Sequence, residues 1–520
     1  MISRRRLLVA AATLPLVTAA AGCGRTPART AAGAATTRPL PVPPLAPATV
    51  GADGVRRFSL TAQAGVSEIV PGKSTPTWGY DGAMLGPTLR AHRGETVAVQ
   101  VHNTLPEPTS VHWHGMHVPA DCDGGPHQTV APGGDWHPQW RIDQPAATLW
   151  YHPHPHGTTE KHVYRGLAGL FLLDDAGTDR LDLPRDYGVD DIPLVIQDRR
   201  LTADGKLDET ITGDFGLLGD TLTVNGISGA HFDATTGRVR LRMLNGSASR
   251  LFNLGFDDNR PFGLLATDGG LLAQPVPLTR IQLSPGERAE IVVELRGADT
   301  VTLRAFPVEL RAGIDRPARF GFDDTFDVLA VRGPARPAAA PALPATLTAI
   351  TSPAAPDAAV DRTFDLKWFM INGKKMDMNR VDLTITIGAT EVWQVRNLED
   401  WPHNFHVHDV QFLIRGIDGQ APPPQLAGWK DTVYTEPGRT YELAMHFAGP
   451  ANPTYPYMYH CHLLHHEDKG MMGQFLILDP GRQPDLAALP AADMPPMSDM
   501  PMGDAPMNGM DGMGHGTHGH

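Results

Sequence analysis

Three segments of this 520-residue chain share one pattern, in which polar and apolar residues alternate and the run closes on asparagine. The closing residues are Asn103, Asn245 and Asn397, which lie 142 positions (103 to 245) and 152 positions (245 to 397) apart. Alternation with a period of two predicts a half-buried β-strand in each copy. The spacing is that of a β-sandwich domain with its connecting loops. The repeat therefore predicts an all-β chain of three consecutive, related sandwich domains.

Histidines follow the repeat in two of its three copies. The positions nine and eleven residues after each asparagine hold His112 and His114, Leu254 and Phe256, and His406 and His408. Between residues 179 and 332 the only histidine is His231. We therefore expect metal chemistry in the outer domains and a middle domain that is a spacer without metal.

Composition sets the expected boundaries of the domains. The prediction assigns residues 1–23 to an export signal, 24–49 to a flexible leader, 50–178 to the first domain, 179–332 to the second, 333–360 to an Ala/Pro linker, 361–482 to the third and 483–520 to a tail. The tail is rich in Met, Pro, Gly and Asp and ends in three histidines. Such a segment cannot bury a core, which predicts disorder.

The N-terminus has the features of an export signal. An arginine triplet at 4–6 precedes an apolar run that is short for a bilayer span and contains Pro15. It resembles a twin-arginine signal. The small residues before Cys23 resemble a lipoprotein cleavage site, although Ala20 stands where a larger aliphatic residue is usual. We expect an exported protein, either periplasmic, lipid-anchored at Cys23 in the cell envelope, or extracellular, with membrane contact only through such an anchor.

Charge and cysteine content exclude two classes of protein. The formal net charge of −13 argues against nucleic acid as a partner. Outside the signal the chain has only Cys122 and Cys461, so it is not a disulfide scaffold. Cys122 has no obvious partner, whereas Cys461 lies between two histidines and is expected to bind metal.

Four non-overlapping His-x-His pairs occur in the outer copies of the repeat. They are His112-Trp113-His114, His152-Pro153-His154, His406-Val407-His408 and His460-Cys461-His462. Residues two apart on an extended strand face the same side, so each pair can offer two imidazoles to one space. One such pair arises easily by chance, but four pairs in two related domains predict a centre with more than one ion.

The last pair also contains the cysteine. Strand alternation points Cys461 away from His460 and His462. Two histidines, one cysteine and a distant methionine form the ligand set of blue copper. Nearby residues complete such a set: His403, Cys461, His466 and Met471. Met472 is the alternative for the axial position.

These motifs resemble the four copper motifs of three-domain multicopper oxidases, closest to the laccase-like copper-efflux oxidases of bacteria. The resemblance covers about residues 50 to 480 and includes the segment 427–431. It implies cupredoxin-like Greek-key domains and four copper ions, one of type 1, one of type 2 and two of type 3. It places His112 and His406 on the type 2 copper. The remaining cluster histidines would hold the type 3 pair: His114, His152, His154, His408, His460 and His462.

The resemblance also implies the reaction. A reductant gives up one electron at a time at the type 1 copper, and O2 is reduced to water at the cluster. Asp123 and Glu467 lie where the family has carboxylates that deliver protons. The alternative is that both are solvated carboxylates in a turn and at a strand end.

The reductant is the least determined part of the prediction. Glu399 can serve as the acidic ligand that copper-efflux oxidases offer to Cu(I), but Trp401 replaces their methionine. The Met- and His-rich tail offers ligands for extra copper. The leading hypothesis is therefore a copper-tolerance oxidase acting on Cu(I). The alternatives are a laccase-type oxidase of phenols and other aromatic compounds, and a non-enzymatic copper-binding protein on the same fold.

Overall fold

The structure is a computed structural model that describes residues 38–337 and 342–490. The predicted signal, the leader up to residue 37 and the tail from residue 491 lie outside the described residues. Within the described ranges, no helix is both long and apolar enough to span a bilayer. The architecture is almost entirely β, as the repeat predicts.

The first domain is a sandwich of two sheets. Its sequence elements are β1 (Arg38–Pro39), β2 (Thr49–Val50), β3 (Val55–Ser67), β4 (Thr75–Tyr80), β5 (Leu89–His92), β6 (Thr96–Asn103), β7 (His112–His114), β8 (Asp135–Trp136), β9 (Gln139–Arg141), β10 (Ala147–His152), α1 (Thr159–Arg165) and β11 (Gly169–Asp174). One sheet has the order β2-β3-β6-β8, with β4 on β3 and β9 on β6. The other has the order β5-β11-β10-β7 and therefore brings two histidine-bearing strands side by side.

The middle domain repeats this arrangement. Its strands are β12 (Asp191–Arg199), β13 (Thr221–Val224), β14 (Ala230–Asp233), β15 (Arg238–Asn245), β16 (Phe252–Phe256), β17 (Phe262–Thr267), β18 (Gly270–Leu278), β19 (Ile281–Leu283), β20 (Arg288–Glu294), β21 (Thr300–Phe306) and β22 (Phe326–Arg332). The sheets are β13-β12-β15-β20-β17-β18 and β1-β14-β22-β21-β16-β19. Leu254 and Phe256 are fully buried in the apolar core, at the positions where the outer domains have histidines.

The third domain completes the series. Its elements are β23 (Arg362–Lys367), β24 (Met370–Ile371), β25 (Leu383–Thr386), β26 (Thr390–Asn397), β27 (His403–Val407), β28 (Phe412–Ile417), β29 (Thr432–Thr435), β30 (Thr440–His446), β31 (Tyr457–His460), α2 (Leu464–Asp468) and β32 (Met472–Leu478). The sheets are β24-β23-β26-β30-β28 and β25-β32-β31-β27-β29. Short 3-10 helices lie at Ala120–Cys122, Thr178–Arg180, Pro317–Phe320, Pro424–Leu426 and Leu486–Ala488.

The repeated asparagine has the same structural role in each domain. The three predicted strands are β6, β15 and β26, and each ends at its asparagine. Each side-chain amide donates to two backbone carbonyls, and each side-chain oxygen accepts from the backbone N–H two residues later. For Asn397 the carbonyls belong to Trp401, at 2.8 Å, and Thr435, at 2.9 Å. Asparagine is therefore needed because it can donate and accept within the turn that follows the strand.

Two expectations from the sequence are wrong in detail. The strand β15 is not half-buried, because all of its residues are buried. Its Arg242 side chain forms buried ion pairs with Asp191 and Glu290 instead of facing water. Residues 38–49, expected in a flexible leader, include β1, which pairs in parallel with β14. A proline-rich extended segment suits such an edge position and covers the edge of the sheet.

Candidate metal centres

The four histidine pairs converge in one buried space between the first and third domains. The eight imidazoles are at most 1% exposed. The pairing of β7 with β10 sets His112 opposite His152, and the pairing of β27 with β31 sets His406 opposite His460. Across the domain boundary the rings of His112 and His408 stack at 3.8 Å. The structure thus brings together side chains that are about 300 positions apart in sequence.

Three of these imidazoles, His154, His408 and His460, form a group that we call the Asp123 trio. Nε2 of His460 lies 3.2 Å from Nε2 of His154 and 3.3 Å from Nε2 of His408. Nδ1 of His408 donates to the Asp123 carboxylate at 2.8 Å, and Nδ1 of His460 donates to the Cys461 carbonyl at 3.2 Å. The inward Nε2 atoms of His408 and His460 therefore carry lone pairs. Nitrogens bound to one ion at about 2.0 Å lie about 3.3 Å apart at a tetrahedral angle, so this spacing fits a shared metal ion.

A second group, His114, His152 and His462, is called here the Asp431 trio. Nε2 of His152 lies 3.4 Å from both Nδ1 of His114 and Nε2 of His462. Nδ1 of His152 donates to the Pro153 carbonyl at 2.8 Å, and Nε2 of His114 donates to the Asp431 carboxylate at 3.0 Å. These outer hydrogen bonds again leave the inward nitrogens of His114 and His152 with lone pairs, as a metal ion requires.

His112 and His406 complete the cluster. Their Nδ1 atoms donate to the backbone carbonyls of Asp123, at 2.9 Å, and Asp431, at 2.8 Å. Their Nε2 atoms are buried and have no hydrogen-bond partner among the described residues. A buried unpaired nitrogen costs about 1–3 kcal/mol, which a bound cation would offset. The arrangement therefore fits a third ion, and with three ions each His-x-His pair would contribute to two of them.

Burial also controls the protonation of the cluster. It lowers the pKa of His460 to about 3, because a charged imidazole is poorly solvated there. The pKa values of His114, His152, His154, His406, His408 and His462 are lowered well below the ordinary value for the same reason, reinforced by the neighbouring imidazoles. These seven histidines are therefore neutral and ready to bind metal at neutral pH.

A separate centre surrounds the buried Cys461. Its Sγ lies 3.6 Å from Nδ1 of both His403 and His466, and these two nitrogens are 3.1 Å apart. Burial raises the pKa of Cys461 to about 12, so the thiolate form requires a nearby positive charge such as a metal ion. Because His460 and His462 adjoin Cys461 in the chain, one peptide segment connects the two centres.

The structure also places the two candidate axial residues. Met471 is buried with Cys461 in the core of the third domain, and its carbonyl accepts from the Cys461 N–H at 3.1 Å. Met472 faces a different group, with Met376, Met378 and Met458. These placements favour Met471, and its bond to copper stays a prediction.

Comparisons with known proteins identify the family. Two family models, each described as multicopper oxidase, match residues 61–178 and residues 341–481. The multicopper oxidase mco of Staphylococcus haemolyticus is 36% identical over 434 residues, which are 82% of this chain and 89% of the relative. The chain belongs to the multicopper oxidase family.

Other relatives extend the comparison. The laccase of Pediococcus acidilactici is 34% identical in sequence, with a TM-score of 0.79 over 87% of this chain and 96% of the laccase. The cell division protein FtsP of Escherichia coli is 36% identical over 454 residues, 86% of this chain and 94% of the relative. The predicted fold of cupredoxin-like sandwich domains is confirmed, and this multicopper oxidase is an oxidoreductase. Copper is the metal of the family, and imidazole and thiolate ligands suit it.

Carboxylates contact the cluster of this multicopper oxidase from one side. Asp123 accepts from His408 at 2.8 Å. Glu467 lies 3.3 Å from Nδ1 of His154 and 3.2 Å from Nδ1 of His460. Both carboxylates are at most 1% exposed, so neither is the solvated surface carboxylate of the alternative interpretation. Burial raises the pKa of Glu467 well above its ordinary value, with the nearby Asp468 adding to the effect.

Several residues that support the cluster could not be found from sequence. Arg288 of the middle domain donates to both carboxylate oxygens of Asp431, each at 2.6 Å. Asn404 accepts from the His462 N–H at 2.6 Å. The resemblance pointed to the segment 427–431 without giving Asp431 a role. No local pattern marks Arg288, because its partner lies 143 positions away.

The group of His403, Cys461 and His466 is called here the blue centre, and its outer face is partly aromatic. Glu399 accepts from Nε2 of His403 at 3.0 Å. The rings of Phe369 and Phe215 lie 5.0 Å and 5.9 Å from the ring of His466. Further out, Trp401 contacts the same imidazole at 6.4 Å. One carboxylate and several aromatic rings therefore surround this centre.

Proposed function

We propose that this multicopper oxidase takes electrons from Cu(I) and reduces O2 to water, in a role in copper tolerance. When bound, four copper ions would supply one-electron oxidation at the blue centre and four-electron reduction of O2 at the cluster. His403, Cys461, His466 and Met471 would hold the type 1 ion. His112 and His406 would hold the type 2 ion, and the two trios would hold the type 3 pair.

The position of the Glu399 carboxylate is the main support for Cu(I) as the substrate. It is bonded to His403, and its side chain is 10% exposed, so it joins the blue centre to the surface. The negative charge of the carboxylate attracts a cation, and the hydrogen bond to His403 provides a short path for its electron. Phe369 and Phe215 occupy the space where a phenol would otherwise meet the ring of His466. Access is therefore better suited to a metal cation than to a bulky ring.

Proton delivery is proposed for Asp123 and Glu467. Reduction of O2 to water consumes four protons, and the cluster is closed to bulk solvent. These two carboxylates contact all three imidazoles of the Asp123 trio. Asp123 and Glu467 would hold protons at their carboxylate oxygens and pass them inward from this side.

Export and copper storage belong to the same proposal. The arginine triplet and the apolar run of residues 1–23 support twin-arginine export, to the cell envelope or outside the cell, with lipid attachment at Cys23 as one form. The methionines and histidines of the tail would bind extra copper. The proposed partners are thus O2, Cu(I) and additional copper.

Two other functions have specific support. Oxidation of phenols, as in laccases, is favoured by Trp368, which is 66% exposed beside the blue centre and donates its backbone N–H to Glu399. The second alternative is a non-enzymatic copper-binding protein on the same fold, and the relative named as a cell division protein shows that proteins similar to this chain include one named for a different role. A non-enzymatic role predicts no O2 consumption with any reductant.

The change Glu399→Gln separates the metal substrate from the phenol. Glutamine keeps an oxygen that accepts from His403 but removes the charge. Loss of a charged contact should raise the KM for Cu(I) about tenfold and leave oxidation of a phenol almost unchanged. Glu442→Gln, at a surface ion pair with Arg415, is the matched control. Equal effects on both substrates would contradict the assignment of Glu399.

A further inference from the structure

The middle domain provides none of the predicted metal ligands, yet one of its loops lies against the cluster. This segment, Ser-Pro-Gly-Glu-Arg at 284–288, follows β19 and ends at Arg288, the first residue of β20. It is called here the 284–288 loop. We propose that the 284–288 loop positions the Asp431 trio, so that the middle domain holds one half of the trinuclear site in place. The inference rests on the proposed trinuclear site but not on the identity of the reductant.

The first contact is made by the backbone of Gly286. Its φ of +87° is in the left-handed region that favours glycine. A Cβ at this position would lie 3.1 Å from Nδ1 of His462 and 3.2 Å from Cε1 of His114. The loop therefore packs closely against two rings of the Asp431 trio, and a side chain would displace them.

The second contact acts through Asp431. Arg288 holds both oxygens of this carboxylate, and its Nε donates to the Thr148 carbonyl of the first domain at 2.9 Å. Asp431 in turn accepts from Nε2 of His114 at 3.0 Å. Arg288 is therefore a positioning residue, because it orients the carboxylate that fixes the tautomer and direction of His114.

The third contact acts through Asn404. Its amide donates to Oγ of Ser284 at 3.0 Å and to the Pro285 carbonyl at 2.9 Å. Its side-chain oxygen accepts from the His462 N–H at 2.6 Å. The loop thus fixes the backbone from which the His462 ring projects.

The two halves of the cluster are therefore held in different ways. The imidazoles of the Asp123 trio instead contact the carboxylates Asp123 and Glu467, of the first and third domains. Disturbing the 284–288 loop should loosen the copper of the Asp431 trio first. The blue centre, held by His403, Cys461 and His466, should keep its copper.

Gly286→Ala tests this directly, with Gly388→Ala as its matched control. Gly388 has a similar φ of +81°, but nothing lies within 4 Å of a Cβ placed there. We expect the affinity of the cluster for copper, measured by chelator competition, to fall about 10- to 100-fold in Gly286→Ala only. The blue absorption should persist in both variants. Equal copper content and affinity in the two variants would overturn the inference.

Ser284 gives a second test that does not depend on the folding of Gly286→Ala. Ser284→Ala should lower cluster affinity about three- to tenfold, and Ser284→Thr, which keeps the hydroxyl, should restore it. Thr223→Ala removes a buried hydroxyl of the same domain, bonded to Gln197 at 3.1 Å, and should have no such effect. Equal affinities in Ser284→Ala and Thr223→Ala would overturn the inference. Wild-type protein that bound no cluster copper would instead overturn the proposed function.

Discussion

Arg288 of the middle domain and Asp431 of the third domain form a buried two-pronged ion pair, with both nitrogen–oxygen distances at 2.6 Å. Removing one partner of a buried pair leaves the other charge uncompensated, at a cost of about 3–5 kcal/mol. We expect Arg288→Met to lower the free energy of unfolding by that amount in a urea titration. Arg304→Met breaks a half-exposed pair with Asp327 and should cost at most about 1 kcal/mol. Equal losses would show that the Arg288 pair has no special structural role.

The three repeated asparagines should make similar contributions to the stability of the protein. Replacing Asn103, Asn245 or Asn397 with alanine leaves buried carbonyls and an N–H unpaired, at about 1–3 kcal/mol per group. We expect each variant to unfold at lower urea concentration, while Asn379→Ala, at an exposed site, changes stability by at most about 0.5 kcal/mol. Stability unchanged in Asn245→Ala would contradict the shared role.

The same repeat shows what the sequence could predict. Alternation and a closing asparagine are local features, so β6, β15 and β26 and the spacing of the domains could be read directly. The histidine pairs could be assigned to one centre because four pairs in two related domains need a common explanation. The resemblance then separated the two imidazoles expected on the type 2 copper from the six expected on the type 3 pair, and the distances in the structure divide those six into two trios.

What the sequence could not predict depends on contacts between distant segments. The strand β1 exists because β14, about 190 positions later, offers an edge. Arg240 and Arg242 of β15 are buried because Asp191 and Glu290 lie beside them, which alternation alone cannot show. Gly286 is next to His462 only because three domains meet at the cluster.

Metal-free protein should lose stability on mild acidification. Burial lowers the pKa of His460 from about 6.5 to about 3. Below pH 6.5 the unfolded chain therefore binds a proton at this histidine, whereas the folded chain does not. Stability should therefore fall between pH 6.5 and 5, by about 1 kcal/mol per pH unit for each such histidine. Urea unfolding of copper-free protein at these pH values measures the slope, and His460→Gln should reduce it. A flat profile would contradict the buried, neutral state of the cluster.

Cys461→Ser should remove the blue colour without unfolding the protein. Serine cannot provide the thiolate on which the blue copper–sulfur absorption depends. Cys122→Ser is the natural control, since Cys122 is half-buried and its thiol donates to the Gln139 carbonyl at 3.6 Å. The visible absorption spectra of the two copper-loaded variants should differ, with the blue band present only in Cys122→Ser. A blue Cys461→Ser protein would refute Cys461 as a ligand of the type 1 copper.

Oxygen uptake by the copper-loaded protein is the direct measure of the proposed oxidase activity. Steady-state O2 consumption should be measured with Cu(I), Fe(II) and a phenol side by side, on the full-length protein and on protein that lacks the tail. Uptake should be rapid with Cu(I), with one O2 consumed for every four electrons supplied. Rapid uptake with the phenol and none with Cu(I) would contradict the proposed substrate, and no uptake with any reductant would contradict the oxidase itself.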